Sequence, residues 1–152
     1  MKNKITLSLL VFISLVIIDQ VIKYGFVFLH WRYDGSVISL ILTYNYGVAF
    51  SMFSFLEGNL KYIQIALLVG VIIYLYNNRD IWSYYYMPIT MIFAGGISNI
   101  IDRFIHGGVV DYVFWHYKFE FAVFNLADVI IDLAVVGIIY LHYKESKTQK
   151  QK

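Results

Sequence analysis

Three aspartates lie close together in a part of the chain that is otherwise strongly apolar. Residues 107–132 read GGVVDYVFWHYKFEFAVFNLADVIID and place Asp111, Asp128 and Asp132 among valine, phenylalanine, tyrosine and isoleucine. An ionised carboxylate is costly to remove from water, and in apolar surroundings it persists only with a partner or a chemical task. We therefore predict that this segment carries part of an active site.

Asp111 and Asp128 are the best candidates of the three for an acid–base pair. When two carboxyl groups are held close together, the charge of the first opposes ionisation of the second, so one remains an acid while the other acts as a base toward water. Aspartic peptide hydrolysis requires this arrangement. Paired aspartates in a membrane protein also serve as ligands for ions or protons, so a small transporter and a non-catalytic membrane subunit remain alternatives.

Other catalytic patterns do not occur in the sequence. The histidines are scattered and form no His-Glu-x-x-His motif, and the segment 96–99 is not a serine-nucleophile motif. There are no cysteines, which excludes disulfides, thiolate metal sites and a cysteine nucleophile. The net charge of +2 is too small to indicate nucleic-acid binding.

The elements that must position the aspartates are predicted to be membrane helices. With 60% hydrophobic and only 14% charged residues, the chain is too apolar for a soluble domain of 152 residues. The apolar run 5–18 imitates a secretory signal peptide, but no small-residue cleavage site follows it, so we treat it as a retained first span. The sequence thus predicts one all-α membrane domain over residues 1–152, with four spans at about 5–29, 60–76, 81–101 and 121–143 and a basic, solvated tail at 144–152.

Two short strands and a long loop are predicted outside these spans. Residues 30–59 contain no span, and a loop of this length between short-looped spans is usually functional. Within it, Ile38, Leu40 and Leu42 alternate at period two, which predicts a strand at 36–44, and Asn45 to Gly47 is typical of a turn. Strict alternation over Tyr117–Phe121 predicts a second strand, lying on the membrane surface.

The distribution of basic residues predicts the orientation. With four spans, Lys2, Lys4, Arg79 and the four tail lysines fall on one side, which should be cytoplasmic, against Arg32, Lys61, Arg103 and Lys118 on the other. Both termini are then cytoplasmic. Polar residues that are scattered in sequence then meet at or near the outer membrane surface: Asp19, Lys23, Asn45, Asn99, Asp102, Arg103, Asp111, Asn125 and Asp128. Asp19 and Lys23 lie one helical turn apart and can pair, although an ion pair at the membrane interface would show the same spacing.

Five blocks of the sequence resemble those of one known family, the lipoprotein signal peptidase (signal peptidase II) family. They occur in order and cover nearly the whole chain. The blocks are Asp19-Gln20-x-x-Lys23, Asn45-x-Gly47-x-Ala49-Phe50, Gly95-Gly96-x-x-Asn99-x-x-Asp102-Arg103, Gly108-x-Val110-Asp111-Tyr112 and Phe124-Asn125-x-Ala127-Asp128.

The resemblance implies an aspartic endopeptidase of the bacterial cytoplasmic membrane. Such an enzyme removes the signal peptide of a prolipoprotein immediately before a lipid-modified cysteine, near the extracytoplasmic surface and among membrane lipids. The resemblance further implies a four-helix bundle with a small outer β-cradle and a loop extended over the membrane, no metal or organic cofactor, and a chain that we expect to act as a monomer. Its catalytic pair maps onto Asp111 and Asp128. The other matching positions, which would bind substrate or support the site, are Asp19, Lys23, Asn45, Gly47, Asn99, Asp102, Arg103, Asn125 and Ala127.

Chemistry suggests roles for some of these side chains. The amides of Asn45, Asn99 and Asn125 can hold an extended substrate backbone. Arg103 can bind substrate carbonyls or lipid oxygens, or it can lock Asp102. Three phenylalanines of the first outer loop can cap the site or anchor the loop at the interface: Phe50, Phe53 and Phe55.

Two positions depart from the family pattern. Ser98 stands where the family usually has glycine, which puts close helix packing there in question. Asp132 stands where the family usually has no acid. It could raise the pKa of Asp128 as a like charge or pair with Lys23, and we favour pairing because a third unpaired acid would be costly at that depth.

Overall fold

The polar residues of the predicted site are held by four helices and a small sheet. The structure is a computed structural model, and it describes residues 2–47 and 54–150. In these residues the elements are α1 (Lys2–Val27), β1 (Ile38–Asn45), a short 3₁₀ helix (Ser54–Asn59), α2 (Leu60–Asn77), α3 (Arg79–Ile105), β2 (Val109–Trp115) and α4 (Leu126–Lys150). Helices α1, α2 and α3 and the strand at 36–44 lie within a few residues of their predicted positions, whereas both ends of α4 differ.

Three of the helices are long and apolar enough to cross a membrane. Among the described residues these stretches are Asn3–Val27, Leu60–Asn77 and Leu126–Thr148. Large apolar side chains on α1, such as Leu10 and Val21, are each 60% exposed in the isolated chain, as expected of a surface that faces lipid.

The remaining helix, α3, differs from the other three in composition. Its 27 residues give a length of about 40 Å, which exceeds the thickness of the hydrocarbon layer. It does not reach the hydropathy of the other three, because many of its residues, including Ser98, Asn99, Asp102 and Arg103, are polar. These four are buried, and α3 contacts α1, α2 and α4. A helix enclosed in this way by protein has less need of apolar side chains than one that faces lipid.

The two strands pair in antiparallel fashion and place Asp111 in the sheet. Thr43 of β1 lies opposite Asp111, and Asn45 lies opposite Val109. The register shifts between Leu40 and Thr43, which marks a bulge or irregularity in the ladder. The sheet therefore brings the segment between α1 and α2 against the residues that follow α3.

The prediction of a strand at Tyr117–Phe121 is wrong. Residues 117–119 form a bend, with Lys118 at φ 64°, and the N–H of Phe121 returns to donate to the carbonyl of Trp115 over 2.9 Å. The strand lies instead at Val109–Trp115. Its first four residues are all buried, so it lacks the alternation on which the prediction relied.

Helix α4 begins later and ends later than predicted. Phe124 still bridges to Val113 of β2, with N–H to carbonyl distances of 3.0 and 2.8 Å, so residues 121–125 are not helical as the predicted span at 121–143 required. At the other end, the helix continues through most of the predicted tail to Lys150. The late start places Asn125 immediately before the first helical turn.

Candidate active site

Lys23 of α1 lies at the centre of a buried polar cluster. Its Nζ is 2.8 Å from Asp19, 2.6 Å from Asp102 and 2.9 Å from the side-chain oxygen of Asn99. The side chains of Lys23 and of both aspartates are at most 2% exposed. The predicted pairing of Asp19 with Lys23 is therefore present, and the pair is enclosed by protein.

Asp102 and Arg103 have different partners. Besides Lys23, Asp102 accepts hydrogen bonds from the side chain of Gln20 at 2.9 Å and from the backbone N–H of Val110 at 3.1 Å. Arg103 donates to the side chain of Gln64 at 3.1 Å and to the carbonyl of Gly47. The proposed lock between Arg103 and Asp102 is thus not the arrangement found, since each side chain is directed to other groups.

Side chains from α1 and β2, together with that of Asn125, satisfy the first amides of α4. The N–H groups at a helix start have no partner within the helix. Here the N–H of Leu126 donates to the hydroxyl of Tyr112 at 3.0 Å, and that of Ala127 donates to Asp19 at 2.9 Å. Asn125 and Asp128 cap each other: the N–H of Asp128 donates to the Asn125 side chain at 3.0 Å, and the N–H of Asn125 donates to Asp128 at 3.2 Å. These bonds fix the start of α4 and with it the position of Asp128.

Asn125 connects the two aspartates of the predicted pair. Its side-chain N–H₂ donates to Asp111 at 2.6 Å and to the side-chain oxygen of Asn99 at 3.3 Å. Asn99 in turn donates to Asp128 at 2.9 Å. Because Lys23 donates to the oxygen of Asn99, it orients that amide so that its N–H₂ group faces Asp128.

Both carboxyl groups face one open cavity of about 440 Å³. Asn45 and Arg103, two further residues predicted for the site, lie on its wall. So do Gln64, Asn99, Phe121, Ile131 and Asp132. A cavity of this size that joins apolar walls to a few convergent polar groups is typical of a binding site.

Burial raises the pKa of Asp111 to about 7, and the charge of Asp128 acts in the same direction. Hydrogen bonds from Asn125 and Asn45 oppose this shift in pKa without cancelling it. Asp111 is 1% exposed. Near neutral pH this carboxyl group therefore still holds its proton in a substantial fraction of molecules.

Asp132 does not pair with Lys23, so the pairing that we favoured is wrong. Lys23 is already enclosed by Asp19, Asp102 and Asn99, and its side chain is 2% exposed. Asp132 is exposed and lines the open cavity instead.

Sequence reasoning missed several residues that hold the site together. Ser98 is fully buried and donates to Asp19 at 2.6 Å, while Gln20 donates to the hydroxyl of Ser98 at 2.9 Å. A hydroxyl group in an apolar helix next to a predicted site residue was the available signal, because it needs a partner there. The hydroxyl of Tyr112 gave no comparable signal.

Some predictions on the first outer loop lie outside the described residues, namely those for Ala49, Phe50 and Phe53. Phe55 falls in the 3₁₀ helix and is 80% exposed. The turn at Asn45 to Gly47 is present, with the N–H of Gly47 donating to the Asn45 side chain at 3.0 Å. Within residues 2–47 and 54–150, no group of three or more His, Asp or Glu side chains could hold a metal ion.

The fold and the cavity define a membrane protein in which two carboxyl groups, joined through an asparagine, face a cleft at one end of a helical bundle. Comparison with known proteins agrees with this class. A family model described as signal peptidase (SPase) II matches residues 11–144. The chain belongs to the signal peptidase II family, and it is accordingly a peptidase and a bacterial integral membrane protein, which confirms the resemblance inferred from the five blocks.

Individual relatives match almost end to end. The lipoprotein signal peptidase of Sulfurimonas denitrificans is 53% identical over 149 residues, covering 95% of both chains. That of Wolinella succinogenes is 49% identical over 140 residues, covering 92% of this chain and 95% of the relative. A bacterial membrane enzyme solved by the in meso method at 2.3 Å resolution superposes with a TM-score of 0.82 at 27% identity, covering 97% of this chain and 94% of that one.

Proposed function

We propose that this protein is an aspartic endopeptidase that removes the signal peptide of prolipoproteins just before the lipid-modified cysteine. The observation that carries the proposal is the placement of Asp111 and Asp128 on one cavity, each hydrogen-bonded to Asn125. The name shared by the relatives, lipoprotein signal peptidase, supports the choice of substrate.

We assign different protonation states to the two carboxyl groups. Asp111 is buried and its pKa is raised to about 7, so it is the member that keeps the proton. Asp128 is partly buried, which disfavours its ionised form, but it accepts hydrogen bonds from Asn99 and from the N–H of Asn125 that favour that form. Asp128 also lies in the first turn of α4, where the helix dipole favours a negative charge.

In the reaction, ionised Asp128 removes a proton from a water molecule as the water oxygen attacks the scissile carbonyl carbon. Asp111 donates its proton to the carbonyl oxygen, which gives a neutral tetrahedral intermediate. When the C–N bond breaks, the proton on Asp128 passes to the leaving amine, and Asp111 recovers a proton from the intermediate. Both carboxyl groups return to their starting states, and no cofactor takes part.

We also propose that all four helices cross the membrane, with both termini in the cytoplasm and the cavity near the outer surface. The cluster is built from the C-terminal parts of α1 and α3 and from the N-terminal turn of α4. Successive antiparallel crossings would bring these parts to the same membrane face. Both strands, which directly follow α1 and α3 in the order of elements, would then lie on that face.

The direct test is to incubate the purified chain in detergent with a diacylglyceryl-modified prolipoprotein and to measure the released signal peptide. Asp111→Asn and Asp128→Asn should each reduce kcat by about 10²–10⁴-fold while leaving membrane insertion intact. Asp80→Asn is the matched control, because Asp80 is an exposed acid at the start of α3, away from the cavity.

Each alternative gives a different result in this assay. Retained cleavage by either cavity variant would remove that aspartate from the catalytic pair. Ion flux into liposomes without cleavage would favour a transporter. If the purified chain neither cleaves nor transports, a non-catalytic subunit would be favoured.

A further inference from the structure

Asp132 differs from the other acids of the site in having no partner among the described residues. Asp19, Asp102, Asp111 and Asp128 each accept at least one hydrogen bond from the protein. Asp132 lies on the cavity wall and is exposed, and it makes no hydrogen bond or ion pair with residues 2–47 or 54–150. Its carboxyl group is therefore available to whatever occupies the cavity.

Asp132 lies on the wall of the same cavity as the aspartate pair. It follows Asp128 by four residues on α4, so it lies one turn, or about 6 Å, farther along the helix axis. The wall of this cavity also includes the apolar side chains of Ile131, Phe121 and Val123. A carboxylate next to such a wall is costly unless a hydrogen-bond donor reaches it.

We propose that Asp132 is a specificity-determining residue that accepts a hydrogen bond from a serine or threonine hydroxyl in the signal-peptide segment lying along α4. The inference rests on the proposed function, because it assigns the cavity to the substrate. A hydroxyl group can be carried into an apolar layer at small cost, whereas an ammonium group is far more costly there. An acidic side chain in the same place would be repelled by Asp132.

The experiment compares matched substrates. The substrates are pairs of diacylglyceryl-modified prolipoproteins. The two members of a pair differ at a single position before the lipid-modified cysteine, where one has serine and the other alanine, and each such position is tested in turn. At one or two of these positions, the unmodified enzyme should cleave the serine form with a kcat/KM about tenfold higher than that of the alanine form. Asp132→Leu, which is similar in size and cannot accept a hydrogen bond, should bring this ratio close to one.

Two further variants make the comparison specific. Leu133→Ala alters the neighbouring residue of α4, which is 58% exposed and does not line the cavity, and it should keep the full preference for serine. Asp132→Asn retains an acceptor oxygen without the charge and should keep part of the preference. If Asp132→Leu fails to fold, Asp132→Asn provides the test. A serine-to-alanine ratio of kcat/KM below that of the unmodified enzyme would support the inference, and an unchanged ratio would contradict it.

The inference would be overturned if the serine-to-alanine ratio of kcat/KM were the same in the unmodified enzyme and in the Asp132 variants. A preference for lysine over serine that depends on Asp132 would also overturn it, since the ligand would then be a cation. Absence of cleavage of every substrate by the unmodified enzyme would instead overturn the proposed function.

Discussion

The carboxyl group of Asp111 illustrates how single residues are tuned by their surroundings. Asp111 is 1% exposed and accepts a hydrogen bond of 2.6 Å from Asn125. Burial raises its pKa and the hydrogen bond lowers it, and because the pKa is raised, loss of solvation outweighs the hydrogen bonds that favour the ionised form. Asp128 receives bonds from an amide and from a backbone N–H. The two carboxyl groups are thereby given unlike environments within one cavity.

The raised pKa of Asp111 predicts how activity depends on pH. The reaction needs protonated Asp111, whose pKa is about 7, so kcat/KM should fall as the pH rises through about 7. Because the Asn45 hydrogen bond lowers the pKa of Asp111, Asn45→Ala should move this basic limb to higher pH. The measurement is a pH profile of prolipoprotein cleavage for both forms. A profile that stays flat from roughly one pH unit below the pKa of Asp111 to roughly two units above it would contradict the role of Asp111 as the acid.

Two buried serines allow the hydrogen bond to Asp19 to be tested. Ser98 donates to Asp19 at 2.6 Å, whereas the hydroxyl of Ser8 is buried without a hydrogen-bond partner among the described residues. Ser98→Ala should lower stability by about 1.5–3 kcal/mol, because the bond is made to a charged group. Ser8→Ala should be neutral or slightly stabilising. Thermal unfolding in detergent measures both, and equal effects would show that the bond to Asp19 contributes little.

At the scale of elements, the contact between α3 and α4 brings Asn99 within hydrogen-bonding distance of Asp128. Gly95 makes this contact possible: a Cβ atom there would lie 2.7 Å from the carbonyl oxygen of Ala127 and 2.7 Å from Ile131. The neighbouring Gly96 would place its Cβ atom no closer than 3.7 Å, against the flexible end of Leu68. Of these two glycines, only Gly95 is therefore required for the close approach of α3 and α4.

Gly95→Ala should therefore separate α3 from α4 and lower stability by about 1–3 kcal/mol, with a matching loss of cleavage because the Asn99–Asp128 bond is stretched. Gly96→Ala is the matched control and should be neutral or slightly stabilising, since alanine favours the helix. Thermal unfolding and cleavage rates check both variants. If Gly96→Ala were as harmful as Gly95→Ala, close approach of the helices would not be the cause.

At the scale of the whole molecule, the number of membrane crossings decides which side carries the C-terminal end of α4. With four crossings, the end of α4 and the β1 region lie on opposite sides. If α3 did not cross, the three remaining spans would place both on the same side. The absence of cysteines from the chain makes this question accessible to labelling.

Single cysteines introduced by Ser36→Cys and Thr148→Cys, at two exposed positions, provide the measurement. In intact cells, a membrane-impermeant thiol reagent should label the cysteine at position 36 directly and the one at position 148 only after permeabilisation. Labelling of both in intact cells would contradict the four-span topology and both cytoplasmic termini.

Features that depend on neighbouring residues were predicted correctly from the sequence, whereas features that depend on contacts between distant residues were not. The ion pair between Asp19 and Lys23 spans one helical turn, and its spacing is visible in the sequence. The strand at Val109–Trp115 was missed because burial of its first four residues removes the alternation of polar and apolar side chains. The start of α4 was placed too early because the apolar residues 121–124 fit a membrane helix equally well, and only pairing with Val113 keeps Phe124 extended.

The sequence by itself determined the membrane environment, the approximate helices, the family and the residues of the candidate pair, because composition, periodicity and ordered motifs are properties of the chain alone. Tertiary structure decided which groups those residues meet. Lys23 binds Asn99 and Asp102, which lie more than 70 residues away, and Asp132 faces the cavity without a partner in the part of the chain that the structure describes. Such contacts depend on how each helix is rotated and how closely it approaches its neighbours, and both are set by the packing of the whole bundle.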